Sequence, residues 1–432
     1  MIAVTKQKAF ILFGGIYAAQ YPRFIHYLRE REFLVCIIDE DTERSRLRLA
    51  CRNSNEAHVL HRAREIVLVD PTDLHAIIRQ VNEWRKEYII GGVYTIREYF
   101  VTQAAIVADF LNLPGPGLRA GHVCRNKFLQ RTYLEDWSPP FITVNPAATR
   151  SGFETFPAVL KPTGRQASSG VVSVDSFDEA LRELPNYGSN EHVLLEALVA
   201  GDEFSVESLV QDGEIVFRNA TLKRTNHLHS KQFVELAHTL PAPDVPESRL
   251  TRLYEANQDV VQRLGFQDGV SHAEFKITPE GRVFLMEVAA RNPGDGIMPL
   301  YQLATGRPLE EALIRIALKE PAAYPEPTRM ARQVYFEHPN GRLKDVQLQG
   351  FPIKPTFLFD TGMRAELDCS ARHEPATLRE VTVEKQRGAL LGNIRQSRDR
   401  CGYFLMDGAN VAALDKLEAE VLQNITVITD SC

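Results

Sequence analysis

Hydrophobic and polar positions along the first 117 residues follow two alternating periods. Residues 9–13 and 33–39 are short runs apolar on both faces, as strands of a doubly covered parallel sheet must be. Between them Gly14-Gly15 marks a turn, and Phe24, Tyr27 and Leu28 recur at helical spacing within residues 21–31. Residues 65–69, 74–84 and 88–94 continue as strand, helix and strand, which predicts an open α/β sheet. The rigid stretch Leu-Pro-Gly-Pro-Gly at 113–117 breaks this pattern and predicts a domain boundary. A helix opens at 124–131 and ends near Trp137-Ser138-Pro139-Pro140, after which period 2 takes over. Strands are predicted over 156–161, 171–174, 192–198, 204–211 and 214–217, the last two joined by the Asp212-Gly213 turn. From His272 to Asp295, the alternating runs Ala273-Phe275-Ile277 and Val283-Leu285 flank Thr278-Pro279-Glu280-Gly281, where proline fixes φ and glycine accepts φ > 0. A helix at 309–318 and a proline-rich connector at 321–327 lead into a strand-rich tail. Its strands are predicted at 351–357, 378–383, 392–395, 403–405 and 425–428, with one helix at 411–422.

Composition narrows the class. A chain of 432 residues is too long for one core and predicts about two to four domains. With 44% apolar and 25% charged residues it reads as an ordinary soluble protein, and a net charge of −6 gives no electrostatic reason to expect nucleic acid or an anionic membrane. No apolar run reaches the length of a membrane span, and the run after Lys6 and Lys8 stops at Gly14-Gly15 without a cleavage site. The cysteines at 36, 51, 124, 369, 401 and 432 have no ligand spacing, so a cytoplasmic protein with reduced thiols and neither disulfides nor zinc is expected.

The candidate chemistry centres on the hairpin. Glu274 and Glu287 sit on neighbouring strands and point toward one spot, where two carboxylates repel unless a cation lies between them. Mg²⁺ suits such a place, because it takes hard oxygen ligands and borrows the rest from substrate phosphates. Arg291 follows within four residues and suits an anionic or transferring group. The bland alternative is a solvated hairpin with ordinary surface charges. Residues 156–161 end in Lys161 and run into Pro-Thr-Gly-Arg-Gln-Ala-Ser-Ser-Gly, a loop whose amides and hydroxyls suit a polyphosphate; the alternative is a plain hairpin tip. Lys127 lies at a helix start, where the macrodipole disfavours a cation, and alone reads as solvated. Gly14-Gly15 with Asp39 is a weak echo of a dinucleotide fold, but the third glycine is absent, and a structural turn beside a ligand cleft is preferred.

The order and spacing of these segments, with the Asn-Lys-x-x-x-Arg stretch at 126–131 and Glu196 seven residues before Glu203, resemble the ATP-grasp superfamily of ATP- and Mg²⁺-dependent carboxylate ligases. Within it the chain is most similar to the amino-acid ligases that join two amino acids. The resemblance runs roughly from residue 9 to the C-terminus and is densest over 127–295. It implies an α/β chain with an ATP-grasp fold, two α+β lobes sandwiching ATP. An N-terminal open α/β, Rossmann-like domain would occupy 1–117, the small lobe 118–198, the large lobe with the metal site 199–325, and a strand-rich C-terminal lid domain 326–432. It further implies that Lys127 and Lys161 reach the nucleotide phosphates and that Ser168, Ser169 and Gly170 close over the triphosphate. Glu196, Ala197 and Leu198 would form the hinge reading the adenine, Glu203 would bond the ribose, and Glu274 and Glu287 would hold the metal. Arg291 would support the transferred phosphate. One departure stands out: Ala289 occupies the asparagine position of the family's Glu-x-Asn-x-Arg pattern, and Asn292 lies one residue past the arginine.

Substrate choice is placed in 223–243, which holds His227, His229, Glu235 and His238, together with His272 and Gly294. Three histidines in one irregular segment lack a fourth ligand and zinc spacing, so substrate binding and proton transfer are preferred. Glu207 is read as a strand-face residue. The expected activity is ligation of an amino-acid carboxylate, activated as an acyl-phosphate, to an amine, with ATP and Mg²⁺ (Mn²⁺ as the alternative ion). Dipeptide formation and amidation in secondary-metabolite synthesis both fit. The alternatives are a biotin-carboxylase-like or purine-biosynthesis-like ATP-grasp enzyme, or a non-catalytic nucleotide-binding regulator, which Ala289 favours. The expected partners are small-molecule carboxylates and amines, without nucleic acid or membrane, and a homodimer follows from the resemblance alone.

Overall fold

Alternate residues of the first strands bury on opposite sides of one parallel sheet. In the computed structural model, which describes residues 6–144, 152–227, 230–364 and 366–430, β1 (Lys8–Phe13), β2 (Leu34–Glu40), β3 (Glu65–Val69) and β4 (Ile89–Thr95) are ordered β3-β2-β1-β4, all parallel. Phe10, Leu12, Val35 and Ile37 enter one core, while Ala9, Ile11, Phe13, Cys36 and Ile38 enter another with Trp84 and Phe100. The first core also takes in Ile297, Tyr301 and Leu313 from helices Ile297–Thr305 and Leu309–Ala317, which seats the N-terminal unit on the later chain. Helix Glu43–Asn53 escaped the sequence reading because its charged face buries only Ser45. Its start is fixed by Thr42, whose hydroxyl accepts the Ser45 N–H at 3.2 Å.

Gly14 is required at its turn: φ is +68°, and a Cβ there would lie 2.0 Å from the Arg97 side chain. Asp39 accepts the N–H groups of Ile16 and Glu40, each at 2.8 Å, so this acid closes its own turn and does not await a ribose. The preference for a structural turn accounts for both residues.

The second sheet holds β5 (Phe141–Val144), β6 (Ala158–Pro162), β7 (Val172–Val174) and β8 (Val193–Ala197) in the order β5-β8-β6-β7 around its own core. Then come β9 (Asp202–Gln211), β10 (Glu214–Thr225), β11 (Glu235–Leu240), β12 (Gly269–Ile277), β13 (Val283–Ala289), β14 (Met330–Tyr335) and β15 (Gly341–Leu348). The tail adds β16 (Thr356–Phe357), β17 (Thr377–Val383), β18 (Leu390–Leu391), β19 (Gly402–Gly408) and β20 (Ile425–Asp430). Nine of these form one sheet, β13-β12-β9-β10-β11-β14-β19-β17-β16, and β18-β15-β20 form a small fourth sheet.

This topology differs from the expected partition in two places. The boundary at 325 cuts through a continuous sheet, because β14 pairs with β11 and brings Gln333 opposite His238. Residues 118–134, expected in the small lobe, pack instead with the large sheet: Val123, Cys124 and Leu134 share a core with Phe204, Val206 and Phe275. The strand expected at 392–395 is absent, β18 ending at Leu391, and that expected at 351–357 shrinks to β16. The 17-residue helix Glu247–Arg263, which covers one face of the sheet, was not anticipated. Among the described residues, no helix is long and apolar enough to cross a membrane.

Candidate active site

The hairpin β12–β13 sets its two carboxylates directly opposite each other. Glu274 pairs in register with Glu287, with a bulge between Glu274 and Phe275. On its other edge β12 pairs with β9, placing Lys276 opposite Glu203 and His272 opposite Glu207, while β10 places Lys223 opposite Glu203. Side chains alternate along a strand, so these polar residues share one face while Phe204, Val206, Ala273 and Phe275 fill the core behind it. That face forms one wall of a cavity of about 320 Å³, and the second sheet and the N-terminal unit supply the others.

Two lysines cross the cavity from other elements. Lys127 opens helix Lys127–Tyr133 after Asn126, whose side chain accepts the Phe128 N–H at 2.9 Å. It is buried rather than solvated: Nζ lies 2.9 Å from Glu287 Oε1 and donates to the Arg165 carbonyl at 2.8 Å. Lys161, buried at the end of β6, meets Glu196 and donates to the Met286 carbonyl at 3.3 Å. Arg131 joins Glu196 from the other side at 2.5 Å. Burial first, then the Arg131 and Lys127 charges, push the Lys161 ammonium well below its ordinary value.

Glu196, expected to help read an adenine edge, is committed to Arg131 and Lys161; Ala197 and Leu198 also line the cavity, with their N–H groups donating to the Pro140 and Pro157 carbonyls at 2.9 and 3.0 Å. Ser168 and Ser169 line the cavity in a loop where Ala167, Ser168 and Gly170 have φ of 59°, 55° and 73°. The loop is docked: Ser168 Oγ donates to the Phe233 carbonyl at 2.8 Å, and Ala167 accepts the Ser397 N–H at 3.2 Å. Gly170 opens onto an adjacent groove instead.

Lys223 is the residue the sequence reading missed at the centre. Its Nζ lies 2.9 Å from Glu274, 3.1 Å from Glu203 and 3.5 Å from Glu235. Against the cost of burial, those carboxylates hold its ammonium well above the ordinary value. Its signal was the alternation of β10, whose polar positions face the acids of β9. His272 bridges Glu207 at 2.7 Å and Glu274 at 3.2 Å, and although burial opposes it, these acids raise the imidazole to about 9. Glu207 stays behind the wall, where it also accepts from Thr221 and Tyr301 at 2.9 and 3.0 Å.

At the far end Arg291 donates to Glu98 at 2.5 Å, and Arg125 joins the same acid at 2.7 Å. Asp295, beside Gly294, accepts from Arg400 at 2.7 Å and from His238 Nε2 at 3.0 Å. Glu98, Asp295 and Arg400 carried no sequence signal, since each comes from a different segment. His238 and Glu235 line the cavity, but His227 does not: it bonds Thr225 Oγ1 at 2.8 Å and stacks on Phe233. His229 lies outside the described residues.

Burial opposes the charge on Asp295, but Arg400 and His238 outweigh it and hold the carboxyl well below its ordinary value of 3.8. A depressed carboxyl stabilises the fold above its unfolded value and loses that contribution as pH falls toward its folded one. Asp295→Asn is therefore expected to flatten the acid limb of a melting-temperature profile below about pH 4. An unchanged acid limb would remove this assignment.

The donor set suits a hard cation. Glu274 and Glu287 offer oxygens at the cavity wall, part-exposed at 22% and 31% of their side chains. Ala289 supplies no third oxygen, and the Asn292 amide is taken by Tyr94 at 3.4 Å and the Pro293 carbonyl at 3.3 Å. No cluster of three acidic, histidine or cysteine ligands occurs among the described residues. Two carboxylates with the remainder from phosphates is how Mg²⁺ is usually held, so the residues present fit it.

Residues 154–299 match the family described as ATP-grasp domain. An uncharacterized protein of Sinorhizobium fredii, y4rH, is 30% identical over 59% of this chain and 55% of its own length. The alanine–anticapsin ligase of Bacillus subtilis is 23% identical over 56% of each. The chain thus spans about half the length of these curated relatives. Among solved structures, an L-amino acid ligase from Bacillus licheniformis superposes with a TM-score of 0.76 at 19% identity, covering 98% of this chain and 99% of that one.

Proposed function

We propose that this chain, whose fold is ATP-grasp, is an ATP- and Mg²⁺-dependent ligase that joins an amino-acid carboxylate to an amine, with a second amino acid as the preferred amine. The observation that carries this reading is the in-register pair Glu274–Glu287 facing two buried lysines across one cavity. A metal held there supplies charge neutralisation for phosphoryl transfer.

The chain's own residues account for the rest. Lys127 and Lys161 bind the polyphosphate, the loop 163–170 covers it and excludes water, and Glu203 receives the ribose hydroxyls. Leaving the resting contact with Glu287 frees Lys127 for the phosphates. A substrate carboxylate oxygen attacks the γ-phosphorus and ADP departs, with Arg291 stabilising the transferring group. The amine nitrogen then attacks the acyl carbon of the acyl-phosphate, the C–O bond to phosphate breaks, and the amine loses a proton. Our candidate to take that proton is His238, which lines the cavity with its Nε2 at 3.0 Å from Asp295.

The test is phosphate release from ATP in a matrix of carboxylates and amines. Release that needs both partners, with an amide product by mass spectrometry, is expected. Release driven by bicarbonate alone would favour a carboxylase. ATP binding without turnover on any pair would favour a nucleotide-binding regulator, the reading that Ala289 supports.

A further inference from the structure

Charge is unbalanced at the N-terminal end of the cavity. The carboxylates lining that end are already taken: Glu98 by Arg125 and Arg291, Asp295 by Arg400 and His238. The cations are not matched in return. Arg44, on helix Glu43–Asn53, and Arg398, just before β19, both line the cavity, and among the described residues neither pairs with a carboxylate. Arg398 reaches only the Tyr99 hydroxyl, at 3.0 Å. Arg97 has Glu40 at the long distance of 3.6 Å. Arg48, one turn beyond Arg44, also lacks an acid, and with Arg97 it lies over the Tyr17 ring, at 4.6 and 4.9 Å.

Exposed arginines alone describe a solvated surface. Two features set this rim apart. Arg44, Arg97 and Arg398 share a cavity with the paired acids, and the Tyr17 ring, which also lines it, carries Arg97 alongside Arg48 from the helix of Arg44 before any ligand arrives. Burial first, then the Arg44 and Arg97 charges, push Arg48 down to about 10, as crowded like charges require.

We infer that Arg44, Arg97 and Arg398 select a substrate bearing a second anionic group, a carboxylate or a phosphate, beyond the groups that react. Calling the ligand a substrate rests on the ligase reading; the anion site itself does not. Planar guanidiniums match either anion through paired N–H donors.

Calorimetry on the full chain, loaded with a non-hydrolysable ATP analogue and Mg²⁺, tests this with glutamate against glutamine, aspartate against asparagine, and phosphoserine against serine. The charged member of at least one pair is expected to bind about tenfold more tightly. That advantage is expected to fall below about threefold in the Arg44→Ala/Arg398→Ala double variant, whose sites are exposed and leave the core intact. Preference in the amide pairs identifies a carboxylate, and preference in the phosphoserine pair alone identifies a phosphate. Equal affinity within every pair, no binding of any charged member, or a preference that survives the double variant would each overturn the inference. Phosphate release from the same mixtures separates the two readings. Anion preference without release keeps this site and removes the ligase, whereas release without preference does the reverse.

Discussion

Glu287→Gln is expected to lower turnover by about 10³-fold while leaving most of the nucleotide binding in place. Glutamine keeps the size of the side chain and its place opposite Glu274, but removes one of the two negative charges that the hairpin presents. The resting partner of Glu287 is the Lys127 ammonium at 2.9 Å, which gains freedom when the charge is lost. Binding of the polyphosphate to the lysines therefore persists, and the loss falls on the step in which charge moves between oxygens. ADP release under saturating substrates, set beside calorimetry with a non-hydrolysable analogue, separates the two effects. Turnover within about threefold of the parent protein would end the assignment of Glu287 to a metal.

The second large effect is on stability. Glu196→Gln is expected to cost about 3–5 kcal/mol, because it leaves two buried cations without their anion. Arg131 is fully buried, Lys161 is 6% exposed, and Glu196 is the carboxylate that meets both. The helix that opens with Lys127 and strand β6 are tied together through this acid, so the cost includes the register between the two lobes. A fall in melting temperature of about 3–6 °C is expected, together with weaker binding of the ATP analogue. A melting temperature within a degree of the parent would show that the acid is dispensable as an anchor.

Particular residues show how far the sequence reading reached. Glu274 and Glu287 were legible because a tight turn with alternating flanks determines which residues of a hairpin face each other. Lys161 and the loop after it were legible for the same local reason. Lys127 was misjudged when taken alone, because nothing in a helix start announces that the helix will be buried against another lobe. Glu196 lines the cavity, but its ion pairs were not legible, since Arg131 meets it from 65 residues away. His227 was grouped with His238 by composition, yet of these two only His238, on strand β11, lines the cavity.

The sequence by itself determined the local units of this protein: the parallel βα start, the hairpin with its facing acids, the lysine-ended strand and the hydroxyl-rich loop. Each depends on residues a few positions apart, whose periodicity and turn chemistry act before any long-range contact forms. Only the tertiary structure decided which edges pair, so that β14, β19, β17 and β16 extend the large sheet while β18, β15 and β20 form a small one beside it. The same assembly closed the ion pairs of Glu98, Asp295 and Glu196 and, among the described residues, left Arg44 and Arg398 without acids. Pairing across 100 or more residues is settled by which buried faces and charges compensate one another in space, and one-dimensional patterning does not encode that balance.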